Sequence, residues 1–236
     1  MKAKILFEDR NIIVVEKPPK MPCQSDKTLD EDLMSILINH CVEKEVLKEK
    51  PYLGLVHRLD RPVGGVLVLA KTKEANRSLS KQISEQGFLK EYLTIVCGKP
   101  SSPSGEFRDY LKKLITINMS KVVPQNTKGS KEAVLKYQLI DTVKTNEYGE
   151  LSLMSISLET GRHHQIRVQL SNGGIPIWGD NKYNKTFIKK KEWSQISLWA
   201  HKLAFKHPDS NELVTFYSYP YDEYPWNIFH IKKRWF

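Results

Sequence analysis

Asp60 stands between Arg58 and Arg61 in the segment His57 to Gly65, where proline and glycine shape a loop that leads into the apolar run Val66 to Ala70. Opposite charge on both sides favours the ionised form of a carboxylate, whereas burial alone favours the neutral one. The neighbourhood therefore suits a nucleophile or base better than a proton donor. Taken alone, an arginine–aspartate pair decorating a surface turn would explain the same residues, because exposed pairs contribute little. A second cluster further along, Gly161 to Leu170, gathers Arg162, His163, His164, Gln165 and Arg167, and the run Gly173 to Asp180 follows it.

In this order, the segments resemble the signature motifs of the RluA-type RNA pseudouridine synthases, HRLDRxTSG, GRxHQIRxHL and GxPIxGDxxY. Further matches are Val15-Glu16-Lys17-Pro18-Pro19, Lys90-Glu91-Tyr92-Leu93 with Gly98, and Ala200 to Pro208, so the likeness covers almost the whole chain. The resemblance implies an enzyme that isomerises uridine to pseudouridine in structured RNA, ribosomal or transfer. Such an enzyme breaks the N-glycosidic bond, turns the base over in its pocket and rejoins it through carbon, without cofactor, metal or redox step. By resemblance Asp60 is the catalytic aspartate, either a nucleophile at the anomeric carbon or the group that assists removal of a sugar proton; both routes stay open. Tyr92 is implied as a stacking platform and candidate general base, and Arg167 as the partner of the catalytic aspartate. Arg58 resembles the arginine that extrudes the target nucleotide, and Arg61, Arg162, His163 and Gln165 are expected to contact RNA. The chain departs from the pattern at Val63-Gly64, where Thr-Ser is usual, at Gln169, where histidine is frequent, and at Leu135, which interrupts a common Ala-Thr pair. None of these removes a group with an assigned chemical task.

The residues also permit a reading of their own. If Gly161-Arg162 opens a helix, His163 and Arg167 share a face and Ile166 and Leu170 form an apolar pair on another. An arginine about 4 Å from a carboxylate at an effective dielectric near 20 contributes roughly 4 kcal/mol before desolvation is subtracted. Tyr92 has a ring that can stack on uracil and a hydroxyl that can reach a proton; on an alternating strand it would otherwise be a core residue. Adjacent His163 and His164 cannot both face one ion from a helix, so structural hydrogen bonding is expected of them and of His57, and no metal site is expected. Two competing functions are a catalytically silent RNA-binding protein of the same fold, and a glycoside-type hydrolase pairing Asp60 with a second carboxylate such as Glu159.

The chain has 236 residues, enough for a substantial core, and a formal charge of +10 that favours a polyanionic partner. Cys23, Cys41 and Cys97 are scattered and odd in number, which argues against a disulfide framework or a zinc site. No signal peptide or membrane span is read, so a cytoplasmic protein without a membrane partner is expected, a monomer by family likeness. The lysine run Lys189 to Lys191 and the ending Lys232-Lys233-Arg234-Trp235-Phe236 are candidate RNA grips or simply solvated charge.

These groups must be positioned by a mainly β scaffold. The run Ile12 to Glu16, stopped by Lys17-Pro18-Pro19, predicts a short strand ending in a rigid turn. Thr28 and Glu31 have capping-box spacing and predict a helix over 29–44. Thr72 predicts the cap of a second helix with Ala75, Leu79 and Ile83 as its stripe and Gly87 at its C-cap. Alternation predicts strands through Tyr92 to Cys97, Ala133 to Leu139, Met154 to Leu158, Leu198 to Phe205 and Leu213 to Tyr217. Pro100 to Gly105 and Asn126 to Ser130 read as loops too short for domain linkers. The expected architecture is α+β, a predominantly antiparallel mixed sheet with flanking helices, in a single catalytic domain over 1–236 without a separate N-terminal RNA-binding domain. The resemblance implies the pseudouridine synthase fold with its central cleft.

Overall fold

Period-two alternation builds most of the strands, and β-branched runs build those buried on both faces. The computed structural model describes residues 3–25, 30–45, 51–85, 87–190 and 193–231. In chain order the elements are β1 (Lys4–Glu8), β2 (Ile12–Lys17), α1 (Leu33–Glu45), β3 (Gly54–Leu55), β4 (Gly64–Ala70), α2 (Lys73–Ser84), β5 (Leu89–Cys97), β6 (Ser104–Leu114) and β7 (Met119–Val123). There follow β8 (Lys131–Thr145), β9 (Gly149–Leu158), α3 (Gln165–Asn172), α4 (Lys185–Lys190), β10 (Leu198–Lys206), β11 (Leu213–Tyr217) and a 3-10 turn at Trp226–Phe229. This is an α+β fold with antiparallel strand pairing, as the sequence predicts.

The chain forms two compact units, residues 1–90 with 200–220, and residues 91–199 with 221–236. In the first, the strands run β1-β2-β4-β10, with β11 added to β10 and β3 to β4. Ile12, Val14, Val66, Val68, Leu203 and Phe205 project from three of these strands onto Ala75 and Leu79 of α2, one continuous apolar cluster. α2 begins as expected, with the Thr72 side chain accepting the Ala75 N–H at 3.1 Å. Its C-cap is Glu85 rather than Gly87, although the Gly87 N–H does return to the Gln82 carbonyl at 2.8 Å. α1 starts later than the capping-box spacing predicts. Asp32 caps it, accepting the Ser35 N–H at 3.1 Å and the Ser35 hydroxyl at 2.7 Å, and Thr28 lies outside the described residues.

In the second unit the order is β5-β9-β8-β6-β7. Directly paired residues of antiparallel strands share a face. Tyr92 pairs with Ile156, Ile156 with Tyr137 and Tyr137 with Gly105, and the same face continues through Leu135 and Ala133. α3 lies on this face, with Val168 packed against Leu111 and Ala133. Sequence alternation alone did not reveal the β6–β7 hairpin, because Lys112, Lys113 and Lys121 break up its apolar pattern.

Candidate active site

Asp60 sits in a turn at the entry to β4, where its carbonyl accepts the Val63 N–H at 2.9 Å. Val63 is buried, so its replacement of a hydroxyl residue fills an apolar position. Gly65, two residues on, has φ +122°, and a side chain there would place Cβ 2.2 Å from the Ala200 carbonyl oxygen. Only glycine fits, and the turn is thereby seated against β10. Arg58 is exposed, whereas Arg61 reaches back to the Lys20 carbonyl through Nε (3.0 Å) and ion-pairs with Asp30 through Nη2. His57 is held inside: Phe88 meets its ring edge-on, Nε2 accepts the Val68 N–H at 3.3 Å, and burial, with Lys90 adding, pushes its pKa down to about 3. A ring so depressed stays neutral at pH 7, a fastening group rather than a proton carrier.

Tyr92 is 8% exposed on the α3 face of the second unit's sheet. Arg167 projects from α3 and is 4% exposed, and its charge is met by the fully buried Asp180. Nε donates to Oδ2 at 2.9 Å and Nη2 to Oδ1 at 2.7 Å, a two-pronged fork that fixes the plane of the guanidinium. The Tyr183 ring lies under the same group, its centroid 5.3 Å from Cζ. Asp180 Oδ1 also accepts the N–H groups of Lys182 (2.9 Å) and Tyr183 (3.1 Å), so one carboxylate both orients Arg167 and builds the turn that brings Tyr183 beneath it. Gly179 allows this turn: its φ is +78°, and a Cβ would fall 2.3 Å from the Gln195 carbonyl oxygen.

The helix that carries Arg167 begins at Gln165, so His163 is not on it and shares no helical face with Arg167. His164 explains the late start. It is the N-cap residue with φ 55°, a left-handed conformation that a β-carbon disfavours and that surrounding contacts must hold. Those contacts are a ring stack on His163 (centroids 3.8 Å apart) and a bond between Nδ1 and the Tyr183 hydroxyl at 2.8 Å. The Ser120 N–H donates to the same hydroxyl at 2.7 Å, which directs the hydroxyl proton to His164. Burial, then the charge of Arg167, drives the His164 pKa down to about 2, consistent with a neutral ring that accepts at Nδ1. His163 turns instead to the Ser120 hydroxyl (2.9 Å) and to Asn118 (3.1 Å) at the far end of the hairpin.

Of the remaining candidates, Arg162 is exposed and its Nε donates to the Glu132 carbonyl at 2.8 Å. Gln165 is buried: Oε1 accepts from the Thr160 hydroxyl and the Arg162 N–H, and Nε2 donates to the Val134 carbonyl. It braces the start of α3. Gln169, also buried, donates from Nε2 to Asp109 Oδ2 at 2.8 Å and so ties α3 to β6. Glu159 pairs with Lys136 at 2.5 Å, and Lys136 belongs to the sheet face opposite Tyr92. That opposite face carries a groove of about 560 Å³ lined by Glu91, Glu106, Lys136 and Ser155. Its carboxylates make it a poor seat for a phosphate backbone. Among the described residues no three His, Cys, Asp or Glu side chains cluster as metal ligands, and no helix is long and apolar enough to cross a membrane. Lys191 and the ending from Lys232 to Phe236 lie outside the described residues.

Sequence reasoning missed Asp180 and Tyr183 as companions of Arg167. The signal was present in Gly179-Asp180 and the tyrosine three residues on, but nothing in the sequence says which arginine they serve.

Residues 11–172 match the family model described as RNA pseudouridylate synthase. An uncharacterized RNA pseudouridine synthase of Synechocystis is 31% identical over 216 residues, covering 89% of this chain and 63% of its own length. Ribosomal large subunit pseudouridine synthase D of Zymomonas mobilis is 32% identical over 221 residues, covering 90% of this chain and 68% of its own. This chain thus spans roughly two thirds of these relatives. A solved structure, human RNA pseudouridylate synthase domain containing 4, superposes with a TM-score of 0.72 at 23% identity, over 92% of this chain and 88% of that one.

Proposed function

Because the chain belongs to the RNA pseudouridylate synthase family, in its RluA-type branch, we propose that it isomerises uridine to pseudouridine in structured RNA, ribosomal or transfer. The observation that carries this reading is the buried Arg167–Asp180 fork, set on the sheet face that also bears Tyr92. A guanidinium held so rigidly in low dielectric is a fixed positive potential, the kind of preorganised group that stabilises a negative reacting partner. Asp60 supplies the carboxylate that attacks the sugar or assists its deprotonation. Tyr92 offers a buried ring for the detached base and a hydroxyl for a proton. Arg58, exposed beside Asp60, fits the role of displacing the target nucleotide, and Arg61, Arg162 and His163 sit at or near the surface where phosphate contacts are made. Gln165 acts by bracing α3 rather than by touching RNA. The formal charge of +10 supports a polyanionic substrate. The family match runs across residue 90, which supports the two units working as one catalytic domain; we take it to act without cofactor, as a cytoplasmic monomer.

The test is chemical mapping of pseudouridine in RNA extracted from cells lacking the gene and then incubated with the purified protein. New pseudouridine at one or a few positions, with the RNA unbroken, is expected. Salt-dependent binding without pseudouridine would replace this reading with a silent RNA binder, and released uracil would replace it with a hydrolase.

A further inference from the structure

The β6–β7 hairpin ends in two bare isoleucines. Ile115 is 84% exposed and Ile117 57%, and Ile115 is the most exposed large apolar residue among the described residues. The turn that carries them is closed by the Asn118 N–H on the Ile115 carbonyl at 3.2 Å. Asn118 itself is left-handed, with φ 47°. Its main-chain oxygen accepts from Lys182 Nζ at 2.9 Å and its side chain meets His163 Nε2 at 3.1 Å, so the tip is tied to the segments before and after α3.

Just behind the tip, Lys112 and Lys121 are direct cross-strand partners. Directly opposed residues share a face, and like charges placed so repel each other. A glutamate at either position would turn the repulsion into a pair, yet neither lysine has an ion pair among the described residues. Lys113, pointing to the other face, is exposed and likewise unpaired among them. The fold gains nothing from two opposed cations, or from aliphatic side chains left in water. Local choices that work against the element they sit in mark a place shaped for a partner. That partner must be anionic to relieve the lysines and must offer apolar faces to cover the isoleucines. A nucleic acid carries both on one molecule: phosphates along its backbone, and base faces between which an aliphatic side chain can insert.

We propose that the hairpin tip is a wedge for the RNA substrate, with Ile115 and Ile117 set between its bases and Lys112 and Lys121 on its phosphates. The inference rests on the reading of the chain as an RNA-modifying enzyme and adds to it a contact surface outside the reacting groups. A tip already fastened through Asn118 loses little freedom when it binds. Its apolar and ionic contacts come from separate residues, so they answer separately to salt: counterions released by two phosphates set a slope, whereas burial of two isoleucines does not.

The test compares the full-length chain with two double variants, Ile115→Thr with Ile117→Thr, and Lys112→Gln with Lys121→Gln. Affinity for total RNA from cells lacking the gene is measured by filter binding over a range of salt, and a melting temperature is recorded for each protein. The threonine pair should bind about tenfold more weakly at every salt concentration, with the slope of log affinity against log salt unchanged. The glutamine pair should lose about 1.5 from that slope, two contacts at about 0.7 to 0.9 each, and should melt no lower than the parent, since the cross-strand repulsion is gone. Parental affinity in the threonine pair, or a parental slope in the glutamine pair, overturns the inference. If parental affinity comes with pseudouridine lost in cells, the tip belongs to a protein partner instead. Should the threonine pair melt well below the parent, the glutamine pair decides alone. Both binding effects in a protein that forms no pseudouridine would retire the functional reading and leave the wedge supported; both variants binding like the parent while pseudouridine forms normally would do the reverse.

Discussion

Lys17 in the first unit and Arg167 in the second are both buried cations, and they are neutralised by opposite means. Arg167 meets a carboxylate in a two-pronged fork, and its guanidinium does not titrate in proteins. Lys17 donates to three neutral carbonyl oxygens and can shed its proton, which burial encourages. The second unit thus presents a permanent charge, and the first a buried charge that titrates. The difference shows why the two should respond differently to pH: the fork keeps its charge throughout, whereas Lys17 sheds its proton as pH rises through about 8.

The strongest way to break this contrast is Asp180→Asn. Removing the carboxylate takes the fork away from a buried guanidinium, and we expect a loss of up to about 3–5 kcal/mol, read as a fall in melting temperature on the order of 10 °C. A melting temperature within a degree or two of the parent would show that Asp180 is not the main counter-charge of Arg167. Tyr183→Phe sharpens the same point more gently. It keeps the ring under the guanidinium but strands the Ser120 N–H and His164 Nδ1, so denaturant titration should show a loss of about 1–3 kcal/mol with RNA affinity unchanged. Elsewhere in the first unit, Glu8 of β1 joins Lys44, Lys71 and His40 at 2.6, 2.8 and 3.0 Å. Burial opposes its ionisation, yet these three bonds hold its pKa down to about 2. A carboxylate depressed in the fold adds stability above its unfolded value of 4.5 and loses it as pH falls toward 2. Glu8→Gln should therefore be less stable than the parent at pH 7, and the gap should close by about pH 2 to 3 in pH-dependent melts.

Where structure follows local period and capping, the sequence was readable. β2, β11 and α2 with its Thr72 cap lie where alternation and spacing put them. Local rules failed where a single residue or a distant partner decides. Asp32 rather than a residue at 28 caps α1, because its carboxylate satisfies both the Ser35 N–H and hydroxyl. The left-handed His164 delays α3, and its cause lies in Tyr183 and Ser120, far along the chain. Resemblance singled out Asp60, Tyr92 and Arg167, but the grip on Arg167 was not legible, since a buried fork depends on tertiary packing. The burial of Lys17 was hidden for a related reason: Lys17-Pro18-Pro19 reads as a rigid turn, and lysine is seldom fully buried.

The measurement that tests the central claim most directly is single-turnover pseudouridine formation by Asp60→Asn beside the parent protein on the same RNA. The substitution keeps the size of the side chain and removes its charge. The account predicts loss of turnover by at least about three orders of magnitude, with RNA binding and melting temperature nearly unchanged. Pseudouridine formed at the parental rate by Asp60→Asn would contradict it.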